Sequence, residues 1–285
     1  MSSAPLRVLI HACRAAAHAD RVGARVHAPA SARVALRELL GGLAGTCLHE
    51  EERAALGRAL YDATRRRARD HVPSWESTWF AQTLPQPPAR VLVGGAGSGR
   101  EAQHLERRGY RVDALEPAPG SAQECRARLA DDAQVACASY ESLSAAVLEG
   151  VPNAASPVAR RSYDAALLGW TSLMHVTDAS ERLRLLRALD ARCPQGPILL
   201  TFHPSRHARA RGPGHRVGRA LGSALRHLRS DRVEGADDAL RFGVQSGFLR
   251  GLDPEELEAS ARAVGRVACV DGEDEGTLRM HLTRA

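Results

Sequence analysis

From about Ala30 to Phe80 apolar residues recur at helical spacing, with Val34, Leu36, Leu39, Leu40 and Leu43 followed by Leu56 and Leu60, and Gly41, Gly42 and Gly45 interrupt the pattern. This predicts a small helical subdomain, an N-terminal helical cap over residues 1–85. It closes on an aromatic stretch, Trp75, Trp79 and Phe80, and Pro85-Gln86-Pro87-Pro88 marks a linker. From Ala89 the pattern changes to short apolar runs alternating with helical stretches. Arg90–Val93, Tyr110–Leu115, Ala133–Ala138, Tyr163–Leu168 and Pro197–Phe202 read as strands, and residues 100–108, Gly120–Ala130, Leu143–Leu148 and Ala179–Ala191 as helices. Gly150–Pro157 reads as a loop. Asp253-Pro254-Glu255-Glu256 is a helix start, with an N-cap Asp, Pro at the first helical position and acids in the first turn. Arg266–Val270 and Thr277–Thr283 close the chain as strands around an acidic turn.

Alternating strands and helices specify an α/β fold with a parallel sheet covered on both faces, and such sheets bind ligands at the carboxyl ends of their strands. The core is expected over residues 86–285, carrying an Arg-rich insertion at about 203–250.

Composition narrows the function classes. The 285 residues are 44% hydrophobic and 25% charged, and no apolar run approaches a membrane span. Arg7 and Arg14 interrupt the apolar stretch of Met1–Asp20, which lacks a cleavage site, so a cytoplasmic protein is expected. All 39 basic residues are Arg, a usage that suits a GC-rich, bacterial genome. The window Ala191–Ser230 contains no acid and eight Arg, so the remaining 31 Arg face all 33 acids. A uniformly basic nucleic-acid binder does not have this distribution. The six cysteines (13, 47, 125, 137, 193, 269) form no Cys-x-x-Cys pair, which argues against structural zinc and a disulfide framework, and no metal is expected.

The densest chemical signal is Val91-Leu92-Val93-Gly94-Gly95-Ala96-Gly97-Ser98-Gly99-Arg100-Glu101, a strand leading through close-set glycines into a helix. Such a loop lets a cofactor approach the backbone and offers helix N–H groups to an anion. A dinucleotide fingerprint requires Gly where Arg100 stands, and the spacing here is Gly95, Gly97, Gly99. Glu116 follows, ending the strand Val112-Asp113-Ala114-Leu115-Glu116-Pro117.

This order resembles the class I S-adenosylmethionine-dependent methyltransferases, in which Gly-x-Gly-x-Gly is the first motif and the acid after the second strand binds both ribose hydroxyls. The resemblance spans Ala89–Phe202 and implies a Rossmann-like, mainly parallel seven-stranded sheet completed by the last two strands. It implies that S-adenosylmethionine is bound, with S-adenosylhomocysteine as product, by Gly95, Ala96, Gly97, Gly99, Glu116 and Pro117. Ser139 and Tyr140 would come from the adenine loop, and Gly169 and Trp170 from the segment after the fourth strand. Ser139 stands where an Asp is common. The acid that commonly orients the methionine end of the cofactor is replaced by Val93.

Methyl transfer asks the protein mainly to align an acceptor, exclude water and, where needed, remove a proton. His175 and His203 follow the fourth and fifth strands and are the candidate bases, though a role as hydrogen-bonded loop residues fits either equally. The helical subdomain is expected over the cofactor, with Tyr61, Asp62, Trp75 and Trp79 as lid residues; the alternative is that the tryptophan pair docks the subdomain on the sheet. Arg206, Arg209 and Arg211 point to an anionic acceptor, because Arg forks match carboxylate or phosphate.

The expected activity is methyl transfer to O or N of a small-molecule, natural-product acceptor. An RNA or protein methyltransferase using the basic window is the alternative enzyme, and a non-catalytic cofactor-binding protein the alternative class. Gly169-Trp170-Thr171-Ser172 lacks the Asp/Asn-Pro-Pro-aromatic run of nucleic-acid amine methylases.

Overall fold

A computed structural model describes residues 30–64, 71–205, 212–227, 240–243, 247–274 and 276–284, together with Val8, His11, Ala12 and Ala15. The chain folds into two compact units. One comprises residues 66–204 and 252–285, and the other residues 1–65 and 205–251.

The larger unit opens with helix α3 (Ser74–Thr83), whose Trp79 and Phe80 are buried. The elements β1 (Arg90–Gly94), α4 (Arg100–Arg107), β2 (Arg111–Leu115), α5 (Pro119–Arg128), β3 (Val135–Ala136), α6 (Tyr140–Leu148), α7 (Ser156–Ala159), β4 (Ala165–Leu168), a 3-10 turn (Ser172–His175), α8 (Ala179–Arg192) and β5 (Ile198–Phe202) then alternate. Helix α10 (Pro254–Arg262) leads into β8 (Arg266–Asp274) and β9 (Thr277–Arg284). The seven strands form one sheet in the order β3-β2-β1-β4-β5-β9-β8. Strands β1 to β5 pair in parallel, and β9 lies antiparallel between β5 and β8. The reversal of order beside β1 places the β1 and β4 carboxyl ends at a topological switch point.

Burial explains the strand pattern. Val91, Leu92 and Val93 are all buried, as are Ala165–Leu168 and Ile198–Phe202, because helices cover both faces. Val91 and Val93 pack into one cluster with Trp79 and Phe80 of α3, Ala102 and Leu105 of α4 and Cys125 of α5. The amino-terminal side of the sheet is tied by buried Asp113, which accepts from the guanidinium groups of Arg90 (3.3 Å) and Arg161 (2.8 Å) and from the Gln134 N–H. Gly196, in the turn before β5, is obligatory, since a Cβ there would lie 1.7 Å from the Asp164 carbonyl oxygen.

The smaller unit contains α1 (Ala30–Cys47), α2 (Glu50–Thr64), α9 (Pro213–His227) and a hairpin of β6 (Leu240–Gly243) with β7 (Gly247–Arg250). Two expectations change here. The glycines at 41, 42 and 45 do not interrupt the first helix, and the Arg-rich window contains a fifteen-residue helix. The physical reason is close helix packing. Gly214, Gly218 and Gly222 line one face of α9 and meet the Ala35, Leu39 and Leu43 carbonyl oxygens of α1, which runs parallel to it; a Cβ at Gly218 would sit 2.1 Å from Leu39 O. Gly42 of α1 meets the His215 carbonyl oxygen in the same way. The glycine that weakens an isolated helix lets two helices touch along their backbones.

The single boundary expected at residue 85 therefore becomes a discontinuous division. Trp79 and Phe80 carry α3 into the core of the sheet unit, and the 205–251 segment folds with α1 and α2.

Candidate functional site

The loop between β1 and α4 is stitched to both neighbouring strands. Gly169 N–H donates to Gly94 O (2.8 Å), and Ala96 N–H donates to Leu115 O (3.1 Å). Along this loop Gly95, Gly97 and Gly99 all have left-handed backbone, with φ of 61°, 56° and 93°. That conformation disfavours any side chain, and alternating it with ordinary residues turns the chain sharply from strand to helix.

Glu116 meets the loop from the end of β2. Its Oε2 accepts the Gly97 N–H (2.8 Å) and its Oε1 accepts the Ala118 N–H (2.9 Å), in a residue that is 4% exposed. Both oxygens of a carboxylate accept hydrogen bonds, which suits such a group to a pair of hydroxyls. The residues present therefore fit the ribose end of an adenosyl cofactor. The first two glycines also serve the protein's own packing. A Cβ on Gly94 would lie 2.8 Å from the Tyr140 ring, and one on Gly95 2.3 Å from Ser172 Cβ.

Tyr140 and Ser172 are joined by a 2.6 Å hydrogen bond between their hydroxyls, linking the start of α6 to the turn after β4. Burial pushes the Tyr140 phenol well above its ordinary value, so it remains a neutral donor. Ser139 caps α6, its Oγ accepting the Ser142 N–H. Pro117 is half-buried beside Glu116, and its carbonyl lies 4.0 Å from Cys137 Sγ. Thr171 is the non-glycine residue with left-handed backbone (φ 54°) among the described residues, held by its N–H donating to Thr201 Oγ1 at 2.9 Å. A β-branched residue there is strained, and the strain sits on the loop that carries Gly169 and Trp170.

Reading from sequence missed a buried ionic cluster beside this loop. Arg100 Nη2 reaches Glu76 Oε1 (3.2 Å), Glu76 Oε2 (3.0 Å) and Glu101 Oε1 (2.6 Å). Glu101 Oε1 also accepts the Trp170 N–H at 3.2 Å. Burial and the neighbouring Glu101 carboxylate push the Glu76 carboxyl up to about 8, against the opposing pull of Arg100. Arg100 remains charged: burial alone would lower its pKa, but the two carboxylates outweigh it and raise it. Its guanidinium lies 5.2 Å from the Trp170 ring centroid, and Trp170 packs on Trp75 at 5.8 Å. Glu76 carried only a weak signal, an acid in the first turn of a short helix.

The remaining predicted residues divide. Trp75 joins Trp170 and lies under the Arg279 guanidinium (5.3 Å). Trp79 belongs to the core, its indole N–H donating to Asp271 Oδ2 at 2.8 Å. His203 Nδ1 lies 3.0 Å from the Gly276 carbonyl oxygen. A carbonyl only accepts, so Nδ1 carries the proton of this bond. His175 ends the 3-10 turn and is exposed. Tyr61 and Asp62 fall in α2 with side chains outside the described residues, and Arg206, Arg209 and Arg211 lie outside them altogether. Burial pushes the thiols of Cys125 and Cys193 up to about 12 and about 11, which disfavours the nucleophilic thiolate at either.

No protein-family model matches the chain, and no curated protein matches it. Solved structures do. A methyltransferase dependent on S-adenosylmethionine from Methanosarcina mazei superposes with a TM-score of 0.50, covering 72% of this chain and 97% of that one at 13% identity. One from Bacteroides fragilis, in complex with S-adenosyl-L-homocysteine, gives 0.49 over 76% and 79% at 20% identity. An amino pentose methyltransferase from Micromonospora echinaspora gives 0.45 over 85% and 94% at 17% identity. The likeness is one of fold: the chain has the Rossmann-like architecture of methyltransferases that use S-adenosylmethionine.

Proposed function

We propose that the protein is an S-adenosylmethionine-dependent methyltransferase acting at O or N of a small-molecule acceptor. The observation that carries this reading is Glu116, a nearly buried carboxylate at the tip of β2 that grips the left-handed glycine loop through the Gly97 and Ala118 N–H groups. When bound, the cofactor supplies a methyl group already activated by its sulfonium. Glu116 would hold the ribose hydroxyls, with the Gly95–Gly99 backbone beside it. Tyr140 and Trp170 would form pocket walls, and the strained Thr171 turn would fix the latter. His203, at the carboxyl end of β5 with its Nδ1–H committed to Gly276, is the better placed of the two candidate bases; it would accept an acceptor proton at Nε2.

The acceptor's charge is carried by the sequence alone. Eight Arg without an acid in Ala191–Ser230 favour a carboxylate- or phosphate-bearing molecule. No helix among the described residues is long and apolar enough to cross a membrane.

Incubating the protein with methyl-labelled S-adenosylmethionine and fractionated host extract tests the reading. Label is expected in the low-mass fraction, with little dependence on salt. Label in RNA with steep salt dependence, or in protein, would move the assignment to the macromolecular alternative. Cofactor binding with no transfer into any fraction would favour a non-catalytic role.

A further inference from the structure

Position 93, where an acid is common in this fold's methyltransferases, is a core valine, fully buried with Trp79 and Phe80 of α3 and Ala102 and Leu105 of α4. Those two helices carry Glu76 and Glu101 in their first turns, and α4 begins at the carboxyl edge of the sheet. The two carboxylates therefore converge beside the glycine loop from the same face to which Val93 points.

The cluster is short of donors. One guanidinium nitrogen, with two hydrogens, serves three carboxylate oxygens. Glu101 Oε1 takes both the Arg100 Nη2 contact and the Trp170 N–H. Glu76 is 1% exposed and Glu101 4% exposed. With both ionised, two negative charges would face a single positive one out of water, an arrangement that calls for one more cation able to donate hydrogen bonds.

We propose that Glu76 and Glu101, bridged by Arg100, are the seat for the ammonium group of the cofactor's methionine end, replacing the acid missing at Val93. The inference rests on the cofactor reading above. An α-ammonium brings the charge and the donors the cluster lacks, and Arg100 stays at hand for the adjoining carboxylate. Trp170, packed on Trp75, lies against the bridging Arg100 guanidinium. In the free protein Glu76, held near 8 by burial and Glu101, keeps a proton at neutral pH, and that proton stands in for the absent donor. The cation displaces it. Among the described residues, the charged groups that face the rest of α3 are His104, which packs on Phe80 with its pKa lowered by burial and by Arg108, Arg100 and Arg107; Arg108, bonded to Ser77; and the Arg279–Asp274 pair, whose arginine lies over Trp75.

Calorimetric titration of the full chain with S-adenosylhomocysteine, in buffers of differing ionisation enthalpy, reads the displaced proton. A group near 8 is about nine-tenths protonated at pH 7, so release of about 0.9 proton per ligand is expected, with affinity rising up to tenfold from pH 6 to 7 and flattening above 8. Methylthioadenosine, which lacks the amino-acid end, should bind without proton release. Glu76→Gln should abolish the release and weaken S-adenosylhomocysteine at least tenfold, while methylthioadenosine binding and circular dichroism stay unchanged. Glu101→Gln removes a cause of the raised Glu76 carboxyl and should move the pH dependence to lower pH. Binding of S-adenosylhomocysteine with no proton release and no pH dependence would overturn this inference alone. Failure of the wild-type chain to bind either ligand at any pH would overturn the cofactor reading with it.

Discussion

Replacing Glu116 by Ala separates two roles that the structure gives one side chain. In the free protein the carboxylate holds the Gly97 and Ala118 N–H groups at 2.8 and 2.9 Å in a site 4% exposed. Leaving buried donors unsatisfied costs about 1–3 kcal/mol each, so the variant should lose roughly 2–6 kcal/mol of stability whether or not a ligand ever binds. As ribose acceptor, the same carboxylate would take two charge-assisted hydrogen bonds at about 1.5–3 kcal/mol each, and their loss should weaken S-adenosylmethionine by roughly 10²- to 10⁴-fold. Glu116→Gln keeps one acceptor oxygen and should fall between. Thermal melts without ligand measure the first effect, and calorimetric affinity at a temperature where each variant is folded measures the second. An affinity within threefold of wild type, together with a lowered melting temperature, would mean that Glu116 only anchors the loop and that the ribose assignment is wrong.

Other substitutions test the remaining parts. Gly218→Ala would gain about 1 kcal/mol from helix propensity on an isolated helix, yet its Cβ would sit 2.1 Å from the Leu39 carbonyl. The melt should therefore show net destabilisation; an unchanged or raised melting temperature would contradict the backbone-to-backbone packing of α1 and α9. Because folding raises the Glu76 carboxyl from 4.5 to about 8, the folded state binds the extra proton. The associated stability is fully present below about pH 4.5 and is lost as pH rises toward 8, by up to about 1.4 kcal/mol per pH unit from this group. Comparing melts of wild type and Glu76→Gln from pH 5 to 8.5 should show the slope reduced in the variant; equal slopes would refute it. Exchanging Arg206, Arg209 and Arg211 for Gln should raise KM for an anionic acceptor at least tenfold and leave cofactor affinity unchanged, and activity on an uncharged acceptor that survives the exchange would dismiss the anionic-acceptor proposal.

The sheet was legible in sequence because buried parallel strands are short, continuous apolar runs, and Val91–Val93, Ala165–Leu168 and Ile198–Phe202 all have that form. Glu116 was legible because an acid ending a strand after a glycine loop is unusual chemistry in a fixed place. The smaller unit was not. Gly214, Gly218 and Gly222 read locally as helix breakers, and only partners 179 residues earlier in the chain turn them into a packing face. The boundary at residue 85 failed for a related reason: one unit is built from two distant segments, while α3 belongs to the core of the other. Glu76 and Glu101 look like solvent-facing acids in first helical turns, and their meaning depends on Arg100 drawing both into a buried site. Trp75 and Trp79, four residues apart, look alike in sequence but part in the fold, one toward Trp170 and one into the core.

The most direct test of the central claim is a crystal structure of the protein grown with S-adenosylhomocysteine. The account predicts density for the adenosine over the Gly95–Gly99 loop with both ribose hydroxyls on Glu116. A ligand bound elsewhere, or a loop with Glu116 holding only its two backbone amides at saturating ligand, would contradict it.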